Sequence, residues 1–120
     1  MKLNSEFIEA VNNKKKFAIR IMIKDSMLVD PTLKLCNEML NYAENKILGL
    51  YDNHDGEILE KDKNYWTEDY LNMQMVKLVN NFSKERIELI KKIVDQKFNN
   101  ENKLKKLCSE IIKLIFKREL

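Results

Sequence analysis

Apolar residues recur at spacings of three and four along most of this chain, the period of helices with one buried face. Asn4 or Ser5 can cap a first short helix running to about Asn12, with Phe7, Ile8 and Val11 on its apolar edge. Asn12-Asn13 then reads as a break. The next segment is ambiguous. Phe17, Ile19, Ile21 and Ile23 alternate with Ala18, Arg20, Met22 and Lys24, as in a half-buried strand. The same residues also fit a helix, on which Lys16, Arg20 and Lys24 form one polar stripe at i, i+4. A strand needs partners and the rest of the chain offers few, so the helix is preferred.

Asp30-Pro31 predicts the start of a helix, with Asp accepting orphan backbone N–H bonds and Pro at the first helical position. Leu33, Cys36, Met39, Leu40, Ala43 and Ile47 continue it as one stripe. Thr67, followed by Glu68 and Asp69, predicts another N-terminus, because acids in a first turn complement the helix dipole. Ser83 predicts a third. Asn99-Asn100 reads as a break before a last helix carrying Leu104, Leu107, Cys108, Ile111, Ile112 and Ile115. Helices are therefore expected near 31–47, 67–81, 84–98 and 101–117. Between them, Asp55-Gly56 suits a positive-φ turn, and Ile58 and Leu59 can flank it in a minor β-hairpin near 50–59. The expected fold class is all-α: a compact antiparallel bundle of four to five helices in a single domain, 1–120.

Composition narrows the class further. The 120 residues are 44% hydrophobic and 34% charged with a net charge of +3, which suits a folded chain better than a disordered one. Two glycines and one proline are too few for the frequent turns of an all-β sandwich or barrel. The glycines, Gly49 and Gly56, are too far apart for a glycine-rich phosphate loop. Lysine, asparagine and isoleucine are specified by AT-rich codons, so their abundance fits a low-GC bacterium or one of its mobile elements and is weak evidence for a nucleic-acid partner. The N-terminus lacks the apolar run of a signal peptide, and no run of ~18 apolar residues predicts a spanning helix. Cys36 and Cys108 lie on apolar stripes, where cysteine behaves as a small buried hydrophobe. Reduced, poorly reactive thiols in the cytoplasm are the expectation.

Candidate chemistry is sparse. His54 is the only histidine and no sequence signature supplies it with a nucleophile. It reads as an exposed turn residue. Asp52, Asp55, Glu57, Glu60 and Asp62 cluster around it. Setting Gly56 at the sixth position of a calcium loop puts Tyr51 where the first ligand belongs, so a solvated acidic loop is the better reading. One histidine and two distant cysteines do not make a zinc site. No metal site, cofactor site or catalytic set is predicted. Asp25 beside Arg20 and Lys24 is read as a surface ion pair.

Charge is unevenly placed. Residues 52–69 hold seven acids and two lysines, whereas residues 84–120 hold eleven bases and six acids. Such a dipolar molecule can steer an oppositely charged partner or attract its own kind. The candidate contact surface combines the acidic turn and its aromatic flank with the basic last helix: Tyr51, His54, Asp55, Trp66, Lys103, Lys105 and Lys106. Trp66 on its own reads first as a staple packing before the Thr67 cap. For the last helix, packing into the core comes first, a partner or homodimer seam second, nucleic acid third and a membrane surface last. The expected function is a small non-catalytic accessory or regulatory module that binds another protein. The alternative is a nucleic-acid-binding accessory protein that uses the basic C-terminal helices.

Overall fold

The computed structural model of the chain describes residues 3–119 and is all-α. In chain order the helices are α1 (Ser5–Asn12), α2 (Lys16–Val29), α3 (Lys34–Glu44), α4 (Glu68–Asn80) and α5 (Lys84–Glu119), with a short 3-10 turn at Lys63–Tyr65. Helix α2 is the centre: it packs on α1, α3 and α4, while α5 packs on α4. The ambiguous segment is thus a helix. Ile19, Ile23 and Met27, four apart, are fully buried along one face, and Phe17, which the alternating pattern would also have placed inside, is exposed.

Side-chain caps set most helix starts. The Asn4 Oδ1 accepts from the Glu6 N–H at 2.6 Å, the Thr67 Oγ1 from the Tyr70 N–H at 3.1 Å, and the Ser83 Oγ from the Arg86 N–H at 3.1 Å. The Asp30-Pro31 expectation is corrected. The Leu33 N–H returns to the Asp30 carbonyl at 3.0 Å, so Asp30 and Pro31 open a turn, for which both residue types are equally well suited. Helix α3 begins only at Lys34, after Leu33 in the left-handed region at φ 69°. Asp30 still satisfies orphan donors, accepting from the N–H groups of Thr32 and Leu35.

The expected hairpin near 50–59 is not formed. Among the described residues the one ladder contact is an isolated bridge between Asp52 and Ser83.

The largest correction concerns the C-terminus. Asn99-Asn100 does not break the chain: α5 runs unbroken for 36 residues. Only three residues, 81–83, link α4 to α5, and α4 has just 13 residues, about 20 Å of cover for a helix of about 54 Å. Val94 is the last buried side chain of α5, and every residue from 99 to 117 is exposed. The second half of α5 therefore projects as an arm. It stretches the molecule to 63 × 35 × 18 Å and its radius of gyration to 18.1 Å, against about 14 Å for a compact chain of this length. Cys108, expected in the core, is exposed on this arm, whereas Cys36 is fully buried and its thiol pKa is raised by burial.

Two outcomes follow from this division. A thiol reagent applied to dilute native protein should label Cys108 at once and Cys36 only on unfolding. Ending the chain after residue 98 should change the unfolding free energy of the body, measured in urea on protein too dilute to associate, by no more than ~0.5 kcal/mol, the usual range for surface changes. A loss above ~2 kcal/mol would show that the arm packs on the body.

Candidate functional site

Arg86 lies one turn before Ile90 on the core-facing side of α5 and is completely buried. A buried guanidinium must have its donors satisfied. Its Nε donates to the Gln74 Oε1 at 2.9 Å, and its Nη1 to the Asn81 Oδ1 at 2.6 Å. Its Nη2 donates to the Glu57 Oε1 at 3.0 Å and reaches both Asp55 carboxylate oxygens at 3.4 Å. Glu57 is held in turn by the Gln74 Nε2 and the Lys77 Nζ, each at 2.7 Å. Gly56, at φ 92°, reverses the backbone between the two acids so that both meet the same arginine. A second arginine repeats the device in part, although its buried Nε has no partner among the described residues. Arg20 donates through Nη2 to the Leu50 carbonyl and to Asp52, both at 2.9 Å, and lies over the Phe82 ring. Asp52 also accepts from the Phe82 N–H at 3.0 Å.

The loop expected to be a solvated acidic turn is thus in part a strap, bound by Asp52, Asp55 and Glu57 to α2, α4 and α5, while Asp62 stays exposed as expected. The Lys77 ammonium, followed by Gln74, holds the Glu57 carboxyl below its ordinary pKa, and the Glu57 N–H followed by Arg86 does the same for Asp55. For Asp52, burial works upward, but the Phe82 N–H and Arg20 outweigh it and the pKa is lowered.

His54 is corrected from an exposed turn residue to a partly buried one. Its Nε2 lies 2.7 Å from the Glu57 carbonyl, which can only accept, so Nε2 carries the hydrogen. In the neutral ring, Nδ1 then accepts from the Ser83 hydroxyl at 2.9 Å. The pair resembles a nucleophile beside its base, but the Ser83 Oγ is buried and already accepts the Arg86 N–H. The bonds hold the strap to the start of α5 and leave no hydroxyl open to a substrate.

The seven residues proposed as a contact surface are not gathered in one place. Asp55 and His54 belong to the strap. Tyr51 stacks on Phe82 and donates through its hydroxyl to Glu44 at 2.7 Å. Trp66 packs against the core and donates through Nε1 to the Glu60 carbonyl at 2.7 Å. It shares a groove beside α5 with Leu59, Leu89, Gln96 and Lys103. Lys105 and Lys106 stand apart on the arm, in solvent. Asp25 pairs with Lys24 at 3.3 Å, the surface pair expected of it. Among the described residues, no three histidine, cysteine or acidic side chains are placed to hold a metal ion, and no helix is long and apolar enough to cross a membrane.

The surface that sequence reasoning assigned to the core is the arm's apolar stripe. Leu104, Leu107, Ile111, Ile112, Leu114, Ile115 and Phe116 are 48–62% exposed. They are not on a new face. About five helical turns, or ~18 residues at 3.6 per turn, separate buried Leu89 from Leu107, Ile90 from Cys108, Ile93 from Ile111 and Val94 from Ile112. The core-facing side of α5 continues past the end of the body with nothing to pack against. That recurrence was available in the sequence, but the asparagines between the two blocks disguised it as two helices.

Compared with protein families, curated proteins and solved structures, the chain matches none.

Replacing Arg86 with Ala should cost about 3–5 kcal/mol in urea unfolding, because it strands the carboxylates and amides that converge on it. The strap acids bind protons more readily in the unfolded chain than in the folded protein. Their stabilisation is therefore present above the ordinary carboxylate range and is lost as pH falls below about 4. Glu57→Gln should flatten that acid dependence of the melting temperature. An unchanged acid profile would mean that the strap charges are not what acid titrates.

Proposed function

We propose that this protein is a non-catalytic protein-binding accessory module, a small helical bundle whose body holds out the second half of α5 as a docking arm. One observation carries the reading: the core-facing stripe of α5 resumes at Leu104 and runs to Phe116, exposed, beyond the last helix able to cover it. Monomeric soluble proteins rarely leave contiguous apolar patches above a few hundred Å2, and larger ones mark interaction sites. In proteins most helical stability comes from packing of an apolar face rather than from propensity. Packing of the stripe is the natural source of its stability, and helix-in-groove or helix-on-helix contact is the matching mode of recognition. The free thiols suit a reducing compartment such as the cytoplasm.

The nucleic-acid alternative has its own observation. Lys106, Lys113 and Lys117 fall on the arm's face opposite the stripe, with Lys103 at its edge, in reach of phosphates if the stripe is covered. The two readings use different faces, which separates them. Wild type should not bind a DNA or RNA duplex in ~0.15 M salt, where screening already weakens exposed charges. The triple change of Lys106, Lys113 and Lys117 to Ala should leave the fold and any association of the protein intact. Tight, salt-dependent duplex binding that this triple change reduces would replace the protein-binding reading with the nucleic-acid one.

A further inference from the structure

We infer that the occupant of the α5 stripe is a second copy of this chain, its arm laid antiparallel on the first. The inference rests on the reading of the arm as a protein-docking surface and names the partner. Three features carry it. The first is area. Seven large apolar residues, each about half exposed, present on the order of several hundred Å2 of apolar surface on one side of the arm, the scale of patch that marks an interaction site.

The second is self-complementarity. Leu104, Leu107, Ile111 and Leu114 follow three-four-three spacing, the seam that lets one helix pack on an identical helix. Lys106, Lys113 and Lys117 stand on the opposite side of the arm and do not enter it.

The third is the position of the body, which sets the direction of pairing. The stripe lies on the same side of α5 as the body. Two arms packed in parallel would therefore force both bodies into the same space, between the two α5 helices. In an antiparallel pair each arm fills the vacant space beyond the end of the other's body, and the bodies sit at opposite ends. The contact is then isologous and closes as a two-fold dimer. Cys108, in the middle of the stripe, is covered in that dimer.

Sedimentation equilibrium tests the inference, together with the rate at which a thiol reagent labels Cys108 across the same concentrations. At ~50 µM, where an interface of standard size is populated, wild type should sediment at twice its 14.4 kDa chain mass. Labelling of Cys108 should slow as concentration rises. Leu107→Asp with Ile111→Asp, both at exposed positions, should keep the helical circular dichroism of the body and weaken dimerisation by ~100-fold or more. A monomer with rapidly labelled Cys108 throughout would overturn the second copy while leaving the docking surface open to another protein. A monomer with protected Cys108 would show the arm folded back on its own body and overturn both readings. A dimer unaffected by the two aspartates would place association on another face and also overturn both. A monomer whose Cys108 becomes protected only with anionic phospholipid vesicles would replace the second copy with a lipid surface.

Discussion

A buried guanidinium constrains this molecule more than any other single group. Arg86 cannot be left in the interior with open donors, and the groups that close them come from three separate places in the chain. Gln74 comes from α4, Asn81 from the α4–α5 link, and Asp55 and Glu57 from a segment with no regular structure of its own. Satisfying one arginine therefore fixes the angle at which α4 turns into α5 and draws the strap across that turn. The His54–Ser83 bond and the Asp52–Arg20 pair extend the same arrangement along the strap. Residues 52–57 thereby stay ordered without strand pairing, because carboxylates and a histidine provide what a ladder of backbone bonds would otherwise provide.

The choice of arginine matters. Arg20 and Arg86 are both buried, and no lysine is among the buried side chains of the described residues. A planar fork with five donors can serve several acceptors at once and is weakly hydrated. A lysine ammonium is a strongly hydrated point charge that keeps to the surface. The lysines accordingly line the outer faces, and several lie on the arm.

Helix α5 joins two different physical roles in one element. Its first half is stabilised by burial against α4 and by the Arg86 contacts. Its second half repeats the same apolar face without a core to receive it. On the proposed reading of the arm as a docking helix, it is prolonged from a helix already folded, so little ordering would remain at the moment of contact.

The sequence by itself determined the helical class, the caps at Thr67 and Ser83 and the core stripes of α3 and α4, and it narrowed the first cap to Asn4 or Ser5. These are local properties: a capping side chain reaches only its own first turn, and a stripe at helical period declares itself wherever it packs. At residues 17–24 the scarcity of partner strands only favoured a helix; packing decided it and turned Arg20, read as part of a polar stripe, into the interior. Other features were decided by groups distant in sequence. Asp30-Pro31 fits a turn as well as a helix start, and the turn prevailed as Asp30 bridged to Leu35. The acids of residues 52–57 read as solvated because the arginines that bind them lie about 30 residues away. The apolar block at 104–115 was assigned to the core because periodicity reports that a face is apolar, never whether anything covers it. That depended on the length of α4, which ends its cover of α5 about five turns before the arm's last described apolar residue. Tertiary structure alone shows where one helix outruns another, because coverage is a relation between elements and periodicity belongs to each element separately.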